Sequence, residues 1–167
     1  ALPISWESLA EREQKWNAFA ADPEWLALAQ TMAREMIAVA RNHPSVAIYS
    51  IGNECNTANP EAASFFRALA TTMRETDPTR LISYAALYGI VGPLADIVDV
   101  LGINCGVGPQ VALDVATAFR KATRLPVSAQ PNAGFPGRVD GRIFYMATPA
   151  YLADYARRFH EAGISIW

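Results

Sequence analysis

HPSVAIYSIGNECN, residues 43–56, decides the fold. Pro44 disfavours helical geometry in His43 and so closes whatever helix comes before it. From Val46 to Ile51 the run is almost wholly apolar, the pattern of a short strand buried on both faces of a parallel sheet. It ends abruptly in Gly52-Asn53-Glu54, which delivers a carboxylate at the strand's C-terminal tip. In parallel α/β folds chemistry collects at that end of the strands.

The elements on either side repeat the theme. Upstream, Asp22-Pro23-Glu24 reads as N-cap, first helical position and acidic first turn. The helix it opens runs to near Asn42 and carries Trp25, Leu28, Met32, Met36 and Val39 on one face at helical spacing. Residues 7–19 suggest a further helix. Downstream, Asn59-Pro60-Glu61 opens a helix with Phe65, Phe66, Leu69 and Met73, ended by Asp77-Pro78. Strands are expected over Leu81–Ala86, Ile97–Ile103 and Pro126–Gln130, with a helix over Pro109–Thr123. Thr148-Pro149 opens a last helix through Leu152, Tyr155 and Phe159, closed by Gly163, and Ile164–Trp167 begins one more strand.

Strand and helix alternating over short connections mean an α/β fold with a mostly parallel sheet. A complete (β/α)₈ TIM barrel takes about 250 residues, and this chain has 167 with about five strands. The expectation is therefore a single partial (β/α)₈-type domain over 1–167, its helices packed outside the sheet. Such a sheet leaves its edges open, which invites self-association.

Composition narrows the class. The chain is 51% hydrophobic and 18% charged, which suits a globular domain with a sizeable core. A net charge of −2 gives neither a basic face for nucleic acid nor a polybasic membrane anchor. No apolar run approaches the roughly 20 residues that span a bilayer. The opening ALPISWES has no charged n-region or apolar h-region of a signal peptide. It also lacks an initiator Met, and EAGISIW stops inside an apolar run, so both ends read as cut. Two cysteines outside any CxxC pair, Cys55 and Cys105, read as reduced thiols and favour the cytoplasm.

A lone glutamate after a strand is often only a solvated loop acid, and its neighbours decide the matter. RNHPSVAIYSIGNE resembles the segment of glycoside hydrolase family 2 enzymes, the β-glucuronidases and β-galactosidases, that ends in the catalytic Asn-Glu pair. The similarity continues through FFRALATTMRETDPTRLISYAALYG and VGPLADIVDVLGIN, covering about residues 20–104. The resemblance implies that Glu54 is the general acid/base and that Asn53 hydrogen-bonds the sugar 2-hydroxyl of a glycoside substrate. Retention needs a second carboxylate as nucleophile, roughly 5–5.5 Å away. The family supplies it from a later strand in a segment like Thr-Glu-Phe-Gly, which this sequence lacks. Its counterpart here is LPVSA, whose exit reads Gln130-Pro131-Asn132. A carboxamide and a proline cannot attack an anomeric carbon.

From about Gly102 the text changes. INCGVGP, LPVSAQPNAG and TPAYLADYARRFHEAG together resemble the C-terminal part of homocysteine S-methyltransferases, including the homocysteine-binding module of cobalamin-dependent methionine synthase. That likeness covers about residues 101–166. It implies a zinc held by three cysteines. Cys105 matches the first, in its Asn-Cys pair, and Asn104 beside it is a candidate substrate contact. The other two would follow Ile164–Ile166 in a Gly-Gly-Cys-Cys segment, past Trp167. Cys105 alone makes no zinc site, and as an isolated thiol it reads as a small packing residue. The two resemblances divide the chain into 1–103 and 104–167, joined near Ile103–Cys105, where a strand-for-strand exchange keeps the βα alternation.

Other polar residues attract less chemistry. Asp114, Asp154 and Glu161 fall on helices, on the outside, and Asp140 in GRVDGR is the acid of the second half nearest the rim. His43 lies at the wrong end of its strand, and His160 sits beside Arg157 and Arg158 on a solvated helix face. Phe65-Phe66 and Tyr151-Tyr155 read as helix packing. Gly106-Val107-Gly108 before a helix could hold an anion but lacks the rest of a dinucleotide fingerprint. The leading function is thus a retaining glycoside hydrolase with its acid/base present and its nucleophile absent, inactive as it stands. No cofactor is expected. The alternatives are a methyltransferase-like thiol and zinc site, the one case that calls for zinc, and a non-catalytic barrel scaffold of chimeric or designed origin.

Overall fold

The computed structural model describes residues 8–55, 60–86 and 94–164. Helix α1 (Leu9–Ala20) is capped by Ser8, whose hydroxyl accepts from the Glu11 N–H at 3.1 Å. Helix α2 (Pro23–Ala40) starts where the sequence predicts, with an Asp22 carboxylate oxygen accepting from the Glu24 N–H at 2.9 Å. Then come β1 (Ile48–Asn53), α3 (Pro60–Thr76), β2 (Leu81–Ala85), β3 (Val100–Cys105), α4 (Pro109–Ala122) and β4 (Val127–Pro131). A short hairpin, β5 (Gly137–Val139) and β6 (Arg142–Phe144), precedes α5 (Pro149–Glu161).

The four longer strands form one sheet in the order β1-β2-β3-β4, every pair parallel. Parallel neighbours in chain order require right-handed crossovers, which put the helices on one face. That face carries the core. Tyr49 and Ile51, Ile82 and Tyr84, Leu101 and Ile103, and Val127 and Ala129 are all buried in one cluster with Ile37, Phe66, Met73, Phe119 and Phe159 from the helices. The arrangement is the expected partial (β/α)₈ type, and among the described residues the sheet is open.

Several expectations shift. β1 runs two residues later than predicted, so Asn53 belongs to the strand. β3 starts at Val100 and not at Ile97, because Ile97 and Val98 donate their N–H groups to the Leu94 carbonyl in a turn. GRVDGR is a hairpin turn and not a plain loop, with Asp140 and Gly141 both at positive φ. Of the strand expected over 164–167, residues 165–167 lie outside the described residues. The apolar face of α2 is the largest correction. Leu28, Met32, Met36 and Val39 are exposed, while Ala33 and Ile37 on the other side are buried. The helix packs on α3 through that small-residue side, where Gln30 also donates to the Thr72 hydroxyl at 2.9 Å.

A polar knot closes the N-terminal end of the sheet. The Tyr49 hydroxyl donates to Asp77 at 3.0 Å, and Asp77 also accepts from the Thr79 hydroxyl at 2.6 Å and the Thr79 N–H at 2.9 Å. Burial, followed by the Asp77 contact, pushes the Tyr49 hydroxyl's pKa up. The Thr79 donors hold the Asp77 carboxyl below the usual carboxylate range. These contacts serve stability, since the chemistry of such folds lies at the other end.

Candidate active site

Side chains alternate along a strand, so the face away from the helices is set by the register. On β1 the alternation is interrupted. Ser50 pairs with Ser83 and Asn53 with Ala85, so Ile51 and Gly52 together oppose Tyr84. This extra residue turns Asn53 to the inner face, away from the core. Asn104 of β3 lies on the same face, in register with Gln130 of β4. Across the end of β2, the Asn104 side-chain amide donates to Asn53 Oδ1 at 2.5 Å. The other end of that amide, Asn104 Oδ1, is buried without a hydrogen-bond partner among the described residues. Side chains from alternate strands meeting at one level is the layer geometry of a (β/α)₈ barrel.

Glu54 follows at φ 53°, a left-handed conformation uncommon for a non-glycine residue. Its N–H donates to the Ala85 carbonyl at 2.8 Å, which ties the turn to β2, and its side chain is exposed. Next to it the Tyr84 hydroxyl donates to the Cys55 carbonyl at 2.7 Å. Gly52 is required by space: a Cβ there would stand 2.9 Å from Phe66 and 3.2 Å from Tyr84. The strand exit bearing Asn53 and Glu54 is therefore fixed by the Phe66 and Tyr84 rings beneath it. Neither aromatic was singled out in the sequence for this role.

Cys105 ends β3 in the same left-handed conformation, φ 57°, and is exposed. Cys55 is half-buried. Its thiol donates to the Asn53 carbonyl at 3.5 Å, and burial pushes its pKa up. At the exit of β4 stand Gln130, Pro131 and Asn132, as the sequence places them, with no carboxylate among them. Asp140 lies exposed on the hairpin turn, outside the four-stranded sheet. Asp114 accepts from Gln110, and Asp154 and Glu161 pair with Arg157, all on exposed helix surface. His43 and His160 are exposed, and Tyr151 and Tyr155 pack on each other with Arg158 over the Tyr155 ring. Gly108 caps α4 without any side-chain hydrogen bond. None of these joins Asn53 and Glu54.

Residues 4–112 match Glycosyl hydrolases family 2, TIM barrel domain, and residues 72–167 match Homocysteine S-methyltransferase. The chain belongs to both families. Among curated relatives, a β-galactosidase of Clostridium acetobutylicum is 34% identical over 80 residues, 48% of this chain and 8% of that protein. A methionine synthase of Mycobacterium leprae is 35% identical over 95 residues, 55% of this chain and 8% of its own length. The chain thus spans about a tenth or less of either relative. Among solved structures, a β-D-glucuronidase from Dictyoglomus thermophilum superposes with a TM-score of 0.61 at 24% identity, over 84% of this chain and 27% of its own. That likeness speaks for the fold.

Zinc held by thiolates needs at least three protein donors. Among the described residues no group of three or more His, Cys, Asp or Glu side chains lies together. Cys55 is turned to the Asn53 carbonyl, and even with Cys105 it would make two donors where three are needed. The described residues do not fit a zinc ion. No helix among them is long and apolar enough to cross a membrane.

Proposed function

We propose that the chain carries the acid/base half of a retaining glycoside hydrolase site, with Glu54 as general acid/base and Asn53 orienting the sugar 2-hydroxyl. One observation carries the reading: the Asn53-Glu54 pair stands at the C-terminal tip of β1, with its amide held on the inner face by Asn104. An exposed carboxylate in a left-handed turn is the sort of backbone strain that gathers at working sites. Protonation of the glycosidic oxygen by Glu54 would start the reaction, and Asn104 would complete the polar contact with the sugar. The step that follows needs a nucleophile, and Gln130 stands where one would act. The chain is therefore inactive alone. We place the join between the two families in β3, whose pairing with β2 and with β4 runs on without a shift.

Formate can supply the missing carboxylate from solution. Nitrophenol release from 4-nitrophenyl β-D-glucuronide or β-D-galactoside should be undetectable without formate and measurable with it, and Glu54→Gln should abolish it. No formate-dependent turnover, or turnover unchanged in Glu54→Gln, overturns the assignment. The methyltransferase-like reading rests on the exposed Cys105 at the tip of β3. Stoichiometric zinc uptake lost in Cys105→Ser would favour it. Failure of both assays leaves a scaffold.

A further inference from the structure

The side chains beside Glu54 form a second feature that the sugar chemistry does not use. Between α1, α2, α3 and the end of β1 lies a cavity of about 320 Å³. Four aromatic rings build its wall: Phe19 and Trp25 lie 4.6 Å apart, Trp25 and Phe65 stack nearly parallel at 6.5 Å, and Phe65 meets Phe66 edge-on at 5.3 Å. The rest is aliphatic, Met32 or Gly52, apart from the Cys55 thiol, and among the described residues no charged side chain or carboxamide lines it. Gly52 and Cys55, the residues that bracket Asn53-Glu54, both line it.

We propose that this cavity is a binding site for a neutral aromatic group of one or two fused rings. The volume falls at the lower end of small-molecule sites, roughly 300–1,000 Å³, and is about twice that of an apolar cavity of about 150 Å³ known to take up benzene. With the Trp25 indole N–H and the Cys55 thiol as the polar side-chain groups of its described lining, the wall disfavours ions and sugars, because most of their polar groups would be stripped of water without replacement. Flat rings suit it, since they can stack or meet the four aromatics edge-on. Because β1 sends Asn53 to the inner face and borders the cavity with Gly52 and Cys55, the two sides of the strand exit offer a polar and an aromatic surface.

The probe is 2-naphthol, which contains no sugar and needs no turnover. Titrated calorimetrically into the full chain, it should bind one to one and saturably. Ala29→Phe, which fills the cavity from α2, should weaken binding at least tenfold while the thermal melt stays cooperative. In Cys105→Ser, saturating naphthol should slow alkylation of Cys55 by N-ethylmaleimide at least fivefold, a readout that does not depend on the filled variant folding. Glu54→Gln should bind naphthol as the parent does, so the cavity stands or falls apart from the hydrolase assignment. Non-saturable heats, equal affinity in Ala29→Phe or absence of Cys55 protection overturns the proposal. So does binding that weakens with protein concentration as light scattering shows a dimer, since a second copy then covers the cavity.

Discussion

Met36 and Ile37 are neighbours in α2 and should respond very differently to truncation. Ile37 is 0% exposed and Met36 is 43% exposed. Ile37→Ala removes three carbons from the core, worth about 2.5 kcal/mol at roughly 0.8 kcal/mol per buried methylene. The cavity left behind adds to this, for a total of about 3–4 kcal/mol, inside the usual range for such truncations. With an m-value of about 2 kcal/mol/M in urea, the unfolding midpoint should fall by about 1.5–2 M. Met36→Ala should stay within about 0.5 kcal/mol of the parent. Urea titrations followed by circular dichroism, with m compared across the three proteins, decide the matter. Equal losses in both variants, or a larger one at Met36, would refute the packing of α2 and restore the face that the sequence pattern suggests.

Gly52→Ala should destabilise by about 1–3 kcal/mol, because its methyl group meets Phe66 at 2.9 Å, and a thermal melt will show it. Asp77 has a lowered pKa in the folded chain, so its contribution is complete above the unfolded carboxylate value, near about 3.9, and is lost as pH falls through the folded one. Asp77→Asn should therefore melt lower than the parent at pH 7, and the gap should close as the medium is acidified. An undiminished gap at low pH would show that the carboxylate's charge is not the source. Cys105 should react with a thiol reagent well before Cys55, whose thiol is shielded and raised in pKa, and urea should bring the two rates together.

Much of the architecture is legible because punctuation is local. Asp22-Pro23, Asn59-Pro60 and Thr148-Pro149 mark helix starts through chemistry confined to a few residues, and α2, α3 and α5 begin at Pro23, Pro60 and Pro149. The choice of core face is not local. Both sides of α2 are apolar, and the side with smaller residues wins because it lets the helix approach α3 closely. The hairpin leaves no mark in the sequence, because three-residue strands with exposed side chains carry no burial signal. At the site, the Asn-Glu motif and the lack of a carboxylate after β4 can be read directly. The Asn53–Asn104 contact cannot, because it joins residues 51 positions apart through the curvature of the sheet. Two amides at the ends of strands one apart do hint at it, since such positions share one barrel layer.

The unmatched residue opposite Tyr84 makes the site a matter of counting. An even number of steps separates side chains that share a face of a regular strand, yet Ser50 and Asn53 share theirs at three. Were the strand to pair regularly at its present length, Gly52 would oppose Ala85 and face inward, and Asn53 would turn toward the helices, out of reach of Asn104. The next side chain to face inward would be that of Glu54, so the same letters without the slip would offer a carboxylate to the barrel axis where the chain now offers an amide. Losing one residue between Ser50 and Asn53, by contrast, would leave the two an even number of steps apart and keep the amide facing inward. Pairing in this strand is thus as much a part of the chemistry as composition.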